Sequence, residues 1–291
     1  MGSVRLVHYL MIMPAQLLLV GGIFVPALYI FWLSLNRSSF GQAPVWVGFA
    51  NYGYILSDPL FWRAFWNTFI VVNVVVYGEL LLGLGLAVLI AGWVPGRRWV
   101  IAGLLAPYAI TEVSAVVMWR YMLEPDVGMI NYALTRIGAG QIDWAVTPSH
   151  ALMTASLLAI WQHLPFTFLI LYAAVTTIPR ELIESAEVDG ASPWQRFRRI
   201  TLPLVMPALL IAMLFRYIFA MRLFSEIWLL TQGGPARLTE VLAVYLYRQA
   251  FSYHAFGVAS ATGWTMLLLS LVVAIPYLWH VYRRLFRDAA A

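Results

Sequence analysis

The sequence contains no cysteine and no lysine, so all 18 of its cationic side chains are arginine. Without cysteine there is no disulfide, thiolate metal site, iron–sulfur cluster or cysteine nucleophile. Without lysine there is neither a P-loop, which needs a lysine to reach the β- and γ-phosphates, nor Schiff-base chemistry. The five histidines are scattered and have no metal-ligand spacing. If the function requires ATP, another chain must hydrolyse it.

Charged residues are also scarce. They make up 11% of the 291 residues, whereas hydrophobic residues make up 62% and the mean hydropathy is +0.80. A soluble domain has about a quarter of its residues charged and about half apolar. This composition excludes a soluble enzyme, a nucleic-acid-binding domain and a disordered protein. It predicts a polytopic membrane protein.

Six segments are long and apolar enough to cross a membrane as helices, which takes roughly 20 residues for a hydrocarbon core of about 30 Å. These segments are Val7–Leu35, Trp66–Ala91, Trp99–Tyr121, Ala151–Ile178, Leu204–Leu230 and Val258–Tyr282. The first is too long for the apolar region of a signal peptide, so we expect an uncleaved helix. The sequence therefore predicts an all-α fold with six transmembrane helices. We divide it into residues 1–65, with the first helix and outer loop, and a five-helix core over residues 66–291.

The arginines indicate the orientation. If the N-terminus lies in the cytoplasm, six arginines lie outside, two lie within the fifth helix and ten lie inside. The inside set is Arg5, Arg97, Arg98, Arg180, Arg196, Arg198, Arg199, Arg283, Arg284 and Arg287. Short cytoplasmic loops carry an excess of arginine and lysine. We therefore expect both termini to be cytoplasmic.

The one long cytoplasmic loop, residues 179–203, predicts two short helices at an angle. Pro179 suits the start of the first helix, and Gly190 suits the left-handed residue that follows its end. Ser192 then suits an N-cap and Pro193 the first residue of the second helix. Such a loop is either a solvated helical turn or a rigid element that docks onto a soluble partner. We expect the fifth membrane helix to begin separately, near Pro203.

This loop resembles the EAA loop of permease subunits in binding-protein-dependent ABC importers. The matching residues are Glu184-Ser185-Ala186, Gly190 after three residues, Ile200 after nine more, and Leu202-Pro203 after one. Asp189-Gly190-Ala191 is similar to the DGA of the family, whereas Ser185 stands where the family usually has alanine.

Almost the whole chain shares the resemblance. Further matching residues are Gly48–Tyr52, Asn67-Thr68, Pro107-Tyr108, Trp119, Pro125, Gly128, Asn131, Ala250-Phe251, Gly257 and Ala259-Ser260-Ala261. Leu230–Pro235, with the letters LTQGGP, resembles the signature of the carbohydrate-uptake branch.

The resemblance implies the fold of a type I ABC importer permease in the inner membrane, transporting rather than catalysing. Two such permeases form the pathway, two ATPase subunits bind ATP and Mg²⁺, and an extracytoplasmic binding protein delivers the solute. This chain itself is expected to bind no cofactor. The residues implied to couple to the ATPase are Glu184, Ser185, Ala186, Asp189, Gly190, Ile200, Leu202 and Pro203.

The resemblance also implies that the middles of the fourth and fifth helices line the solute pathway. The residues there are Trp161, Gln162, His163, Phe166, Arg216, Phe219, Ala220 and Leu223. Aromatic rings pack against the C–H faces of sugars, and polar side chains bond to hydroxyl groups. We therefore expect an oligosaccharide, disaccharide or polyol. The alternative is that Arg216 indicates an anionic solute such as glycerol phosphate.

Arg222 and Glu226 are four residues apart, so on a continuous helix they would form an intramembrane ion pair. The two residues are compatible either with an ion pair that stabilises the fold or with a place in the solute pathway. Glu79 and Glu112 also lie near mid-helix, and the sequence assigns them no role. Two other classes remain open, a channel or scaffold that couples to nothing and a membrane-embedded enzyme. The loop spacing argues against the first, and the lack of a convergent His/Asp/Glu set argues against the second.

Overall fold

The structure is a computed structural model that describes residues 2–92, 94–141, 143–144 and 147–287. Side chains are described for these residues except 2–10, 273 and 276–287. Four arginines of the orientation argument, Arg5, Arg283, Arg284 and Arg287, thus have side chains outside the described residues.

The chain is mainly helical, with one short antiparallel hairpin of β1 (Asn36–Arg37) and β2 (Val45–Trp46). The helices before residue 140 are α1 (Gly2–Leu19), α2 (Val25–Ser34), α3 (Ala50–Ser57), α4 (Pro59–Ala91), α5 (Arg97–Leu105), α6 (Glu112–Met122) and α7 (Met129–Arg136). Those after it are α8 (Pro148–Thr176), α9 (Arg180–Val188), α10 (Pro193–Arg196), α11 (Leu202–Ala220), α12 (Ser225–Thr231), α13 (Leu242–Tyr247) and α14 (Phe256–Arg287).

Four shorter helical segments connect some of these helices. Wider π turns at Val20–Phe24 and Phe197–Thr201 join their flanking helices without a gap, a third at Arg248–Ser252 follows α13, and a 3₁₀ turn at Ala106–Ala109 follows α5. Proline begins α4, α8 and α10, where its missing N–H would have no intrahelical partner.

Four of the described helical stretches are long and apolar enough to span a membrane, namely Met11–Ser34, Pro59–Ala91, Pro148–Thr176 and Pro193–Ala220. A fifth is a pair, Arg97–Ala109 and Glu112–Met122, bent by 100°. In the sixth expected span, α14 is helical throughout, and its stretch Phe256–Val272 is apolar. The sequence thus located the apolar helices correctly, within a few residues at most ends.

Two expectations about continuity are wrong. The third span bends sharply at Ile110–Thr111, where Ile110 is extended and Thr111 caps α6 by accepting the Ser114 N–H at 3.3 Å. The fifth span does not reach Leu230, because α11 ends at Ala220 and α12 begins at Ser225. It does not begin at Pro203 either, since α10, the π turn and α11 form one helix from Pro193. Pro203 has no backbone N–H to bond back into the helix, and the wider turn directly before it carries the helix past this missing bond.

The described residues form two compact units. One comprises residues up to Trp62 together with Tyr245–Leu268, and the other comprises Arg63–Val244 with the residues from Leu269 onward. Within the first, Asn51 Nδ2 donates to the carbonyls of Ser34 and Asn36 at 2.8 and 2.9 Å. Gly257 lies so close to the Asn36 carbonyl that a Cβ there would clash. In the same unit Tyr245 donates to Asp58 Oδ2 at 2.7 Å, and burial raises the pKa of this phenol.

The second unit packs α4, α8 and α11 against one another through small and branched side chains. A Cβ on Gly83 of α4 would lie 3.1 Å from Thr167 Cγ2 of α8, so the glycine permits a close helix crossing. Asn67 and Thr68 near the start of α4 bind the segment after α12. Asn67 Nδ2 donates to the carbonyls of Leu238 and Glu240, both at 2.8 Å, and Thr68 Oγ1 accepts the N–H of Leu242 at 2.8 Å. The unit is therefore held by side-chain bonds to backbone as well as by packing.

Candidate functional site

The two broken helices surround a polar cavity of about 500 Å³ within the second unit. It is lined by Tyr108, Ile110, Glu112, Ala159, Gln162, His163, Phe166, Arg216, Phe219, Ala220, Arg222, Leu223, Phe224, Ser225 and Glu226. Non-helical backbone at membrane depth is tolerated where it faces protein or a cavity. Both breaks meet this condition, and Ser225 Oγ donates to Glu112 Oε2 at 3.1 Å to join the segments that follow them.

Seven of the eight residues predicted for the pathway line this cavity. The exception is Trp161, which packs edge-on against Trp119 at 5.7 Å between ring centroids. Successive helical residues point about 100° apart, so Gln162, His163 and Phe166 reach the cavity while Trp161 turns away. Phe166 and Phe219 contact each other edge-on at 6.1 Å and form an aromatic part of the wall.

Gln162 joins the cavity to the break in the third span. Its Nε2 donates to the Ile110 carbonyl at 3.0 Å, which satisfies an acceptor freed by the bend. Its Oε1 is buried and has no hydrogen-bond partner within the described part of the chain. Gln162 is only 3% exposed. Burying an amide oxygen without a hydrogen-bond partner costs free energy unless a bound molecule or water supplies a donor.

His163 also lines the cavity, and one bond shows which ring nitrogen carries a hydrogen. Its Nδ1 lies 3.0 Å from the carbonyl oxygen of Ala159. A carbonyl only accepts, so Nδ1 carries the hydrogen, and Nε2 is an acceptor whenever the ring is neutral.

The expected ion pair between Arg222 and Glu226 is not formed. The helix breaks between them, so the spacing of four residues no longer places them on one face. Arg222 instead lies over the ring of Phe219, with Cζ 5.7 Å from its centroid.

The buried ion pair of this region links Arg216 of α11 to Glu79 of α4. Arg216 Nη2 donates to Glu79 Oε1 at 2.6 Å, and Nε pairs with Oε2. Thr167 Oγ1 also donates to Oε2, at 3.2 Å. The sequence assigned Glu79 no role because its partner lies 137 residues further along the chain. A single carboxylate in an apolar helix predicts that the residue has a partner, but it does not show which residue that partner is.

Loop 179–203 has the two predicted helices, α9 and α10. α9 ends in a Schellman motif, in which the N–H of Gly190 bonds to the Glu187 carbonyl at 3.0 Å and that of Ala191 to the Ala186 carbonyl at 2.9 Å. Gly190 has a φ of +77°, as its predicted position requires. Its place after the end of α9 is therefore confirmed.

Ser192 and Gln195 form a capping box at the start of α10. Gln195 N donates to Ser192 Oγ at 3.3 Å, and Ser192 N donates to Gln195 Oε1 at 2.8 Å. An ion pair between Glu187 and Arg196 links the two helices. Arg196 lies in the last turn of α10, and Arg198 and Arg199 lie in the π turn through which the helix continues into α11.

The implied docking residues of this loop are accessible. Glu184, Ser185, Asp189 and Gly190 are exposed, and Ala186 is half-buried. Of the others, Ile200 and Leu202 are half-buried and Pro203 is exposed. Two apolar side chains stand out beside them, Val188 at 89% exposed and Trp194 at 66%. A fixed backbone with exposed apolar and acidic side chains is suited to contact another protein.

Comparison with known proteins identifies the family. The model of the binding-protein-dependent transport system inner membrane component matches residues 5–285. The chain belongs to this family. This permease is 36% identical over 278 residues to the sulfoquinovosyl glycerol transport system permease protein of Agrobacterium fabrum, covering 94% of this chain and 90% of that protein.

One further relative supports this, and a solved structure shows the fold. The trehalose/maltose transport system permease protein of Thermococcus litoralis is 34% identical, with 93% of this chain and 92% of the relative covered. A solved structure of a bacterial alginate ABC transporter in complex with an alginate pentasaccharide-bound periplasmic protein has a chain of the same fold. Its TM-score is 0.85 at 24% identity, covering 97% of this permease and 96% of that chain.

Proposed function

We propose that this permease is one of two membrane subunits of an ATP-driven importer that moves a sugar or polyol across the cytoplasmic membrane. The observation that carries the proposal is a polar, aromatic cavity between two broken helices in a chain of this family. Relatives named for sugar transport support the solute class. In the proposal the chain crosses the membrane six times and has both termini in the cytoplasm.

The cavity suits a molecule with many hydroxyl groups. The amide oxygen of Gln162 needs a donor, Arg216 retains N–H groups that Glu79 does not use, and Phe166 and Phe219 offer ring faces. A sugar presents hydroxyl donors and acceptors on its edges and C–H groups on its faces. Its binding would be expected to satisfy the buried groups that the protein alone leaves open.

In this proposal loop 179–203 docks onto a separate ATPase subunit. Each importer contains two ATPase subunits, a second permease and an extracytoplasmic binding protein. Glu184 would pair with a cation of the ATPase, and ATP and Mg²⁺ would bind to the ATPase alone. Support comes from the exposure of the acidic face and the fixed backbone of the loop. When the ATPase subunits close, the loop would move with them as a rigid body.

A second candidate is the same machinery carrying glycerol phosphate or another small polar metabolite. It is favoured only by the two arginines that line the cavity, Arg216 and Arg222.

The test is ATP hydrolysis by the complete complex in lipid. The permease is co-expressed with its second permease, ATPase and binding protein, and a panel of maltose, trehalose, sucrose, glycerol and glycerol phosphate is added. We expect stimulation by a neutral sugar or polyol. Stimulation by glycerol phosphate alone would favour the second candidate, and a permease that recruits no ATPase would refute the coupling proposal.

A further inference from the structure

Glu79 pairs with Arg216 without lining the cavity. Arg216 is 3% exposed and lines the cavity, whereas Glu79 is fully buried on α4 and is not part of the lining. Both carboxylate oxygens of Glu79 face the guanidinium, at Nε and at Nη2. A guanidinium has five N–H donors, so this arrangement leaves three of them for another acceptor.

The other acidic and basic side chains in the lining are Arg222, His163, Glu112 and Glu226. With Glu79 included, this region has three acidic side chains and two guanidiniums, so the arginines are not in excess. A cavity built to bind an anion needs an excess of cationic groups, because desolvating a negative charge without a partner is costly.

We infer that Glu79 is a specificity-determining residue, which keeps Arg216 as a hydrogen-bond donor for an uncharged polyhydroxylated solute and makes the cavity reject anionic sugars. This inference rests on the proposed function as an importer of sugars. It predicts that this permease rejects sulfoquinovosyl glycerol, the sulfonate-bearing solute for which its relative in Agrobacterium fabrum is named. Glu79 acts through Arg216 and is thus a positioning residue with respect to the solute.

The experiment compares two solutes that differ at one carbon. Glucosylglycerol has a hydroxyl group where sulfoquinovosyl glycerol has a sulfonate. Solute-stimulated ATP hydrolysis is measured for the whole complex in lipid, including the binding protein, with maltose, trehalose and sucrose as further neutral probes. Because the binding protein is the same in every assay, a change in the ratio between neutral and anionic solute reports on the permease.

Glu79→Gln has nearly the same shape as the original residue but leaves Arg216 without its counter-charge. We expect the ratio of neutral to anionic stimulation to fall by about tenfold, since an uncompensated unit charge attracts an anion more strongly at a protein wall than in bulk water. In the double variant Glu79→Gln with Arg216→Gln both charges are absent, so the ratio should return toward that of the native protein. The maximal rates should fall less than this ratio changes.

Asn73→Ala is the matched control. Asn73 lies on α4 like Glu79, and its Oδ1 accepts the Tyr217 hydroxyl at 2.7 Å, next to Arg216. The substitution therefore removes one bond between the same two helices without altering a charge. We expect the ratio to stay within twofold of the native value.

Three results would overturn the inference. The first is a native complex that responds to sulfoquinovosyl glycerol and to none of the neutral sugars. The second is an unchanged ratio in Glu79→Gln when that complex still assembles and hydrolyses ATP. The third is an equal change in Asn73→Ala, which would make the effect one of helix packing. If a native complex with active ATPase responds to no sugar at all, the proposed carbohydrate function fails instead, and the inference with it.

Discussion

Replacing Ser192 by alanine removes the side-chain half of the capping box that begins α10. The hydroxyl accepts the Gln195 N–H at 3.3 Å, and no other side chain is placed to do so among the described residues. Loss of such a cap costs about 1 kcal/mol of helix stability. If the capped loop is the form that docks, the affinity of the permease for its ATPase falls by about fivefold, because 1.4 kcal/mol corresponds to a factor of ten.

Ser192→Thr is the control, since its hydroxyl can still accept the bond. Binding of the purified ATPase subunit to the permease in lipid nanodiscs gives the two affinities, and surface labelling of the membrane confirms equal insertion. Arg196→Gln, which removes the half-exposed ion pair to Glu187, should cost at most about 1 kcal/mol. An affinity within twofold of the native value in Ser192→Ala would refute the argument that the loop must be preorganised.

Three other substitutions test the site and the packing. Glu184→Ala should weaken ATPase docking and uptake, and Glu184→Arg more so through charge repulsion, with membrane insertion intact; unchanged uptake in both would contradict the coupling role. Gln162→Met removes the bond to the Ile110 carbonyl and the unpartnered acceptor. It should raise the half-saturating solute concentration by about fivefold, for a loss of about 1 kcal/mol. If instead only the maximal rate falls, and by the same factor for every solute, solute contact by Gln162 is contradicted. Gly83→Val should lower stability by about 1–3 kcal/mol through overpacking in thermal unfolding, whereas Gly85→Val, with nothing within 4 Å of its Cβ position, should not; similar effects would argue against a close crossing at Gly83.

Local chemistry made loop 179–203 predictable in detail. A glycine after a helix and a serine directly before a proline act within a few residues, so their outcome does not depend on the rest of the chain. The structure has the left-handed Gly190 and the N-cap Ser192 where the sequence placed them. The extent of the second helix was not predictable in this way, because a π turn can carry a helix into Pro203.

The breaks in the third and fifth spans escaped prediction for a different reason. Hydropathy measures apolar content, which continues through Ile110 and through Met221–Phe224 whether or not the backbone is helical. Because Met221–Phe224 is not helical, residues four apart across it no longer lie on one helix face, and Arg222 and Glu226 therefore do not pair. The partner of Arg216 is set by the crossing of α4 and α11, and sequence spacing within one helix contains no information on it.

One helix connects the loop to the cavity. The stretch Pro193–Ala220 is a single helical run of 28 residues, which at 1.5 Å per residue is about 42 Å long. Its first turn is fixed by the capping box and the ion pair to α9, and its last turns carry Arg216, Phe219 and Ala220 into the cavity wall. A rotation of this helix at the loop would therefore also move the cavity-lining residues Arg216, Phe219 and Ala220. In the proposed importer this helix would link the ATPase to the cavity, and the ion pair with Glu79 joins it to α4.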